Sequence, residues 1–183
     1  MALEIISPGL ATTVQDRGRF GYYRYGIPQG GAMDQYSAAL ANRLAGNTPD
    51  EALLECTYLG PQLKSDVDAV IAVTGSPVEV LVDGESVAQN SRIELRAGQV
   101  LSFGVIKAGS KFFIAVAGGI DVPKVLGSRS TYPIGKMGGF EGRSVQAGDV
   151  LPVGTTLTTP LAPLNTAPAD LIPTFEREMQ VRV

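Results

Sequence analysis

Residues 12–21 read Thr-Thr-Val-Gln-Asp-Arg-Gly-Arg-Phe-Gly, and the first eight of these positions hold two hydroxyls, an amide, a carboxylate and two guanidiniums. Such a set binds and orients a polar molecule, and Asp16 adds a group able to move a proton. Gly18 and Gly21 permit a tight path that brings backbone N–H groups close to a ligand. The plainer reading of the same letters is a charged loop in which Asp16 pairs with Arg19. A second stretch, Gly-Ile-Pro-Gln-Gly-Gly-Ala-Met-Asp over residues 26–34, is a glycine-rich loop entering a helix. The helix start offers free N–H donors to a carboxylate or carbonyl oxygen, although Asp34 competes for them as a cap. A third, Ala-Gly-Gly-Ile-Asp-Val-Pro at 117–123, is followed by Gly-Ser-Arg-Ser-Thr at 127–131. There Arg129 can clamp a carboxylate or sit in a structural ion pair, and Ser128, Ser130 and Thr131 can donate hydrogen bonds. A fourth, 135–143, is glycine-rich but lacks the Gly-Lys-Ser/Thr ending of a phosphate loop, and reads as a flexible hairpin or lid.

The residues that are absent narrow the chemistry. The 183-residue chain has no histidine and one cysteine. Zinc sites and Ser-His-Asp or Cys-His relays cannot be assembled within it, nor can an intrachain disulfide. Proton transfer falls to Asp, Glu, Lys, Tyr or water. Cys56 sits in an apolar run and reads as a small buried side chain. A net charge of −3 argues against a nucleic-acid footprint. No run of about 18 apolar residues is present, so no membrane span is expected. The single cysteine fits a cytoplasmic setting, and residues 1–8, without a basic start and apolar block, predict no secretory leader.

The elements that must position these segments are mostly strands. Short Val- and Ile-rich runs alternate with Gly, Pro, Asn and Asp, which predicts strands at 3–6, 12–15, 69–74, 77–82, 92–96, 100–105 and 112–116, and the Ala-Leu-Leu-Glu-Cys-Thr run at 52–57 reads as a further strand. The continuous apolar run at 69–74 predicts a strand buried on both faces. Asp83-Gly84 predicts a two-residue hairpin turn. One segment is helical: Asp34 caps it, Met33, Ser37, Leu40, Ala41 and Leu44 recur at helical spacing, and Gly46-Asn47 ends it. Tyr22, Tyr23 and Tyr25 fit either a pocket wall or a half-buried strand. Ala-Gly-Gln-Val-Leu at 97–101 echoes Ala-Gly-Asp-Val-Leu at 147–151, each a glycine turn feeding a strand. The expected organisation is a β-rich domain over residues 1–154, a Pro/Thr-rich linker over 155–177, and at 178–183 the first strand of a further, truncated part.

Taken in order, Thr-Thr-Val-Gln-Asp-Arg-Gly-Arg (12–19), Gly-Ala-Met-Asp (31–34), Ala-Asn-Arg-Leu-Ala-Gly-Asn (41–47), Val-Ala-Gly-Gly-Ile-Asp-Val-Pro (116–123), Leu-Gly-Ser-Arg-Ser-Thr (126–131) and Gly-Gly-Phe-Glu-Gly-Arg (138–143) form a series. It closely resembles the allophanate hydrolase subunit 2 family, which includes the C-type component of 5-oxoprolinase, KipA and the matching half of the urea carboxylase carboxyltransferase domain. The resemblance implies a mainly β fold, a cyclophilin-like β barrel with additional β structure and one short helix. It implies a subunit of a heteromeric enzyme that processes a small polar amide, lactam or urea. The partners would be a companion, either of the allophanate hydrolase subunit 1 type or of the B type of 5-oxoprolinase, and a possible third subunit. A KipA-like regulator without turnover is the alternative. No cofactor or metal is expected on this chain, and ATP or biotin would be carried by partner subunits.

Amides and ureas need donors and acceptors more than a strong nucleophile. On that ground Asp16, Arg19 and Arg129 are the candidates for the reacting groups. Thr13, Gln15, Gly30, Gly31, Ser130 and Thr131 are the candidates for substrate binding. Arg19 or Arg129 would hold a carboxylate or phosphate-like oxyanion, Gln15 and Thr131 would orient the amide, and Asp16 is the best in-chain candidate for a general base.

Overall fold

The computed structural model describes residues 1–155 and 164–175. In chain order the strands and helix are β1 (Ala2–Ser7), β2 (Ala11–Gln15), α1 (Gln35–Ala45), β3 (Leu53–Thr57), β4 (Gln62–Ser65), β5 (Ala69–Gly75), β6 (Val80–Val82), β7 (Glu85–Val87), β8 (Arg92–Leu95), β9 (Val100–Phe103), β10 (Lys111–Val116) and β11 (Val150–Pro152). They form a six-stranded sheet in the order β11-β1-β4-β9-β6-β7 and a five-stranded sheet in the order β2-β3-β10-β5-β8. Every pairing among these strands is antiparallel. The chain is thus mainly β with one short helix. The expected barrel takes the form of two facing sheets that share no ladder: β7 ends one sheet and the next strand, β8, joins the other.

Side-chain alternation builds three layers. Along β10, Phe112, Ile114 and Val116 pack between the sheets with Leu54, Cys56, Ile71, Val73 and residues of the six-stranded sheet such as Leu3, Ile5 and Leu101. The intervening Phe113 and Ala115 face α1, together with Leu53 and Ala72. Successive strand side chains point to opposite faces, so a strand covered on both sides reads as a continuous apolar run. The 69–74 run has that explanation: Ile71 and Val73 look one way and Ala72 the other. On the helix, Ala38, Ala41 and Ala45 let the axis approach the sheet, and Leu40 and Leu44 fill the space. Asp34 accepts from Ser37 N at 2.9 Å, and Gly46 closes the last turn with φ +84.

The predicted hairpin joins β6 to β7, with Asp83 and Gly84 both at positive φ. The repeated pentapeptide gives the same turn twice. Gly98 N donates to Ser65 O, and Gly148 N donates to Ile5 O; Gln99 and Asp149 each accept from a backbone N–H three residues earlier. The predicted 77–82 strand is shorter than expected, since only Val80–Val82 pairs. β4 has no counterpart among the predicted strands. Of the expected linker, residues 155 and 164–175 are described, with one 3-10 turn among them at Ala169–Leu171. The strand expected at 178–183 lies outside the described residues.

One further segment completes the platform for the site. β2 pairs with β3 along one side only. Along its other side, Thr131 N and Val145 N donate to Val14 O and Thr12 O, each at 2.9 Å. Thr131 and Val145, at the two ends of the 131–145 segment, are therefore held against β2, which brings the Ser-Arg-Ser-Thr group beside the Thr-Val-Gln-Asp-Arg segment.

Candidate functional site

β2 ends at Gln15, and Asp16 is the first residue beyond the ladder. Its Oδ1 accepts from Gly18 N and Ser128 Oγ, both at 2.7 Å, and from Ser130 Oγ at 2.5 Å, while Oδ2 accepts from Arg129 N at 2.6 Å. Burial alone would raise the carboxyl pKa. The donors, Ser130 first, then Ser128 and the Arg129 and Gly18 amides, outweigh it and hold the value below the ordinary range. A carboxylate so satisfied is a poor proton acceptor. The geometry therefore gives Asp16 a positioning part, fixing the 128–130 turn, in place of the general-base role expected from its residue type.

Arg19 is the counterpart of Asp16 without being its ion-pair partner. Its backbone N donates to Gln29 O at 2.7 Å, and its side chain, only 1% exposed, passes inward where one nitrogen, Nη2, donates to Ser130 O. Nε and Nη1 have no partner among the described residues. Gly30 and Gly138 border the guanidinium. A Cβ on Gly30 would sit 3.1 Å from Nη1, and one on Gly138 would sit 2.8 Å from Nη2. Gln15 is the neighbouring buried amide: its Nε2 donates to Thr13 Oγ1 at 3.0 Å and to Thr131 O at 3.3 Å, and its Oε1 is unpartnered among the described residues. Two buried donor groups and one buried acceptor thus stand unmet on consecutive carbonyl anchors, Ser130 and Thr131. Buried polar groups are nearly always paired, so such a concentration needs an explanation.

The other expected residues fall as follows. Ser130 and Thr131 join the cluster, Thr131 Oγ1 donating to Val14 O at 2.8 Å. Gly31 is packed against the Arg17 backbone, and Gly18 against Gly30 O and Gln29 O, so the two loops interlock where side chains would collide. Arg129 contributes its backbone N–H, but its side chain turns away to Val122 O and to Asp121, at 2.8 and 2.6 Å. It is thus held in a structural ion pair. Tyr23 and Tyr25 form an exposed 3-10 turn preceded by the half-buried Tyr22, with the Arg24 guanidinium 4.7 Å from the Tyr25 ring centroid. Cys56 lies in the core, where burial pushes its thiol pKa up. Among the described residues no group of three or more His, Cys, Asp or Glu side chains is placed to hold a metal.

Two features have no counterpart among the candidates expected from the sequence. Glu55, 7% exposed, accepts from Met33 N at 2.7 Å and pairs with Lys111 Nζ at 2.8 Å, so it fixes the glycine loop where α1 begins. Its signal is a lone carboxylate in an apolar strand. The second is a cavity of about 570 Å³, whose walls include Val122, Val125, Met137, Gly138 and Phe140. Gly138 therefore borders both the cavity and the Arg19 guanidinium.

Residues 25–183 match the carboxyltransferase domain, subdomain A and B, family. Urea amidolyase of Saccharomyces cerevisiae is 43% identical over 151 residues, covering 82% of this chain and 8% of that protein. The C-type component of 5-oxoprolinase from Escherichia coli is 41% identical over 152 residues, covering 83% of this chain and 49% of that protein. The crystal structure of the K. lactis urea amidolyase superposes with a TM-score of 0.91 at 42% identity, over 96% of this chain and 11% of that one. The chain spans about half the length of the bacterial relative and about a tenth of the fungal ones.

Proposed function

The chain belongs to the carboxyltransferase domain family, subdomains A and B, and from that premise we propose that it forms one half of the substrate site of a heteromeric enzyme acting on a small polar amide, lactam or urea. The observation that carries this reading is the set of unmet buried groups, Arg19 Nε and Nη1 and Gln15 Oε1, on a platform ordered by Asp16. Leaving such groups unpaired costs on the order of 1–3 kcal/mol each. A ligand with both a carbonyl and an N–H would offset part of that. The relatives' names, 5-oxoprolinase and urea amidolyase, support the same class of substrate.

In this reading the chain binds and orients, and the reactive chemistry is completed by others. Arg19 donates to substrate oxygen, Gln15 accepts from substrate nitrogen, and Asp16 keeps the Ser128–Ser130 turn in register. Thr13 and Thr131 hold the Gln15 amide, Gly30 leaves room beside Arg19 Nη1, and Gly31 lets the two loops interlock. A companion, of the allophanate hydrolase subunit 1 type or the B type of 5-oxoprolinase, supplies the general base and nucleophile activation, with ATP or biotin carried by partner subunits in the cytoplasm. None of the described helices is long and apolar enough to cross a membrane.

The test is reconstitution with the companion subunits, assayed with 5-oxoproline plus ATP and with urea or allophanate. Turnover of one substrate that Arg19→Gln and Gln15→Leu each reduce by about 100-fold or more is expected. Inactivity on all of them, or wild-type turnover in both variants, would count against it.

A further inference from the structure

We propose that the aromatic turn at residues 20–25 is the docking point for a second protein subunit, one whose facing surface offers apolar pockets and a carboxylate. This assignment rests on the reading of the chain as one half of a heteromeric site, and it adds the surface through which the halves meet.

The Phe-Gly-Tyr-Tyr-Arg-Tyr stretch sits in a loop that closes on itself. Arg19 N donates to Gln29 O at 2.7 Å across its base, and nearer the tip Tyr25 N and Ile27 N both donate to Tyr22 O, at 2.9 and 3.3 Å. The backbone is thus ordered by its own hydrogen bonds, while the rings are left outside. Phe20, Tyr23 and Tyr25 are 60%, 70% and 63% exposed, and no residue of the 23–25 turn is buried. Single exposed apolar side chains are ordinary, but these rings are concentrated in one short stretch of chain. With a whole ring side chain taken as about 200 Å², the three offer on the order of 400 Å². One side of a standard protein–protein interface buries about 800 Å², so the turn supplies roughly half of one.

Composition and charge identify the kind of partner. Tyr and Arg are enriched among the residues that dominate binding energy at the centres of protein interfaces. A tyrosine brings large contact area for two side-chain torsions, and a loop already ordered loses little further backbone freedom on docking. The Arg24 guanidinium lies against the Tyr25 ring and meets no carboxylate among the described residues. A facing carboxylate would complete it, whereas an apolar surface would bury it unpaired. A two-fold contact between copies of this chain would set the turn against itself, and residues 20–33 contain no Asp or Glu to receive Arg24. The net charge of −3 disfavours nucleic acid as the stacking partner. The position of the loop ties this surface to the site. Its base carries Arg19, and the exposed Gly30 just beyond it borders Arg19 Nη1. A subunit seated on the turn therefore lies beside the unmet buried groups and can bring its own reactive groups over Gly30.

The experiment is calorimetric titration of the 183-residue chain with each companion, the allophanate hydrolase subunit 1 type and the B type of 5-oxoprolinase, in separate runs. The expected result is that one of them binds, and that the combined substitution Phe20→Ser, Tyr23→Ser and Tyr25→Ser weakens it by about 100-fold or more. Arg24→Glu should weaken it by about tenfold, with a smaller deficit at high salt. Leu10→Ser with Val105→Ser is the control: both residues are exposed, and Leu10 precedes β2 where Phe20 follows it, so affinity should stay within about twofold. Slower hydrogen exchange of the 20–27 amides in the unsubstituted complex is a second readout, and it stands even if the triple variant fails to fold. Full affinity of the triple variant, with exchange slowed elsewhere, would overturn the docking assignment and leave the substrate-site reading intact. Self-association of the chain that the triple variant abolishes would give the turn to a second copy and overturn the heteromeric assignment. Binding of neither companion would overturn both readings.

Discussion

Asp16 and Ser130 hold each other twice: Ser130 Oγ donates to Asp16 Oδ1 at 2.5 Å and accepts from Asp16 N at 3.1 Å. The pair joins the end of β2 to a segment more than a hundred residues later in the chain, and it sets the orientation of the carbonyl that receives Arg19. Removing the carboxylate charge should unsettle the loops before it touches the sheets. Asp16→Asn is expected to lower unfolding free energy by about 1–3 kcal/mol, because at least one of the four donors meets an amide N–H instead of an oxygen. Urea denaturation measures this. Unchanged stability with an unchanged Arg19 environment would refute the anchoring role.

The same carboxylate makes stability depend on acid. Its pKa is depressed in the folded protein, so between the unfolded value of about 3.9 and the lower folded value the unfolded chain binds more protons. The stabilisation is fully present above that window and is lost as pH falls through it. Asp149 behaves likewise, held low first by its hydrogen bonds to Arg143. Wild-type protein should lose stability below about pH 4 more steeply than Asp16→Asn. Parallel acid-unfolding curves for the two would contradict the assignment.

Glycines should separate by position. Gly139 has φ +56, and a Cβ there would collide with the Thr131 side chain; Gly148 has φ +88 but open space around it. Gly148→Ala is expected to cost about 1 kcal/mol, from the backbone conformation alone. Gly139→Ala should cost more than twice as much, because the 138–139 turn must also move. Thermal melts of the two variants decide whether the turn is as tightly packed as described.

Glu55 and Lys111 offer a third probe. Lys111→Met leaves Glu55 buried without its cation, and a loss on the order of 2–4 kcal/mol is expected, somewhat below that for a fully buried pair because Lys111 is partly exposed. The 26–33 loop, which Glu55 holds through Met33 N, should become more susceptible to limited proteolysis. Loss of stability without faster cleavage there would mean that the pair supports the sheet only.

The helix provides the control. Leu44→Ala, in the layer between α1 and the five-stranded sheet, is expected to cost about 2–5 kcal/mol, and Asp34→Ala about 1 kcal/mol through the lost cap. Both values come from denaturant titration. A neutral Asp34→Ala would show that the Ser37 hydrogen bond contributes little.

Much of this architecture is legible in the residues. The helix can be read from Asp34, its apolar spacing and Gly46, and the Asp83-Gly84 hairpin from turn chemistry, because both are local. β4 is not legible: Gln62–Ser65 alternates polar and apolar over only four residues and owes its pairing to β1 and β9. The same limit applies at the site. Residue types identify Asp16, Arg19, Ser130 and Thr131 as neighbours in chemistry, but not which oxygens and hydrogens are already taken. That depends on Thr131 and Val145 being held against β2, a long-range contact without a local sequence signature. It separates Arg19, two of whose nitrogens meet no acceptor among the described residues, from Arg129, whose side chain is engaged by Asp121.

The hold of Thr131 and Val145 on the free side of β2 also bears on solubility. A bare strand margin is a template for recruiting other chains into intermolecular β structure, and this contact covers that margin with the turn that carries Ser130 and Thr131. A substitution that peels the turn away would dismantle the site and uncover an aggregation-prone margin together. Loss of function and loss of soluble protein at these positions should therefore be inherited as one phenotype.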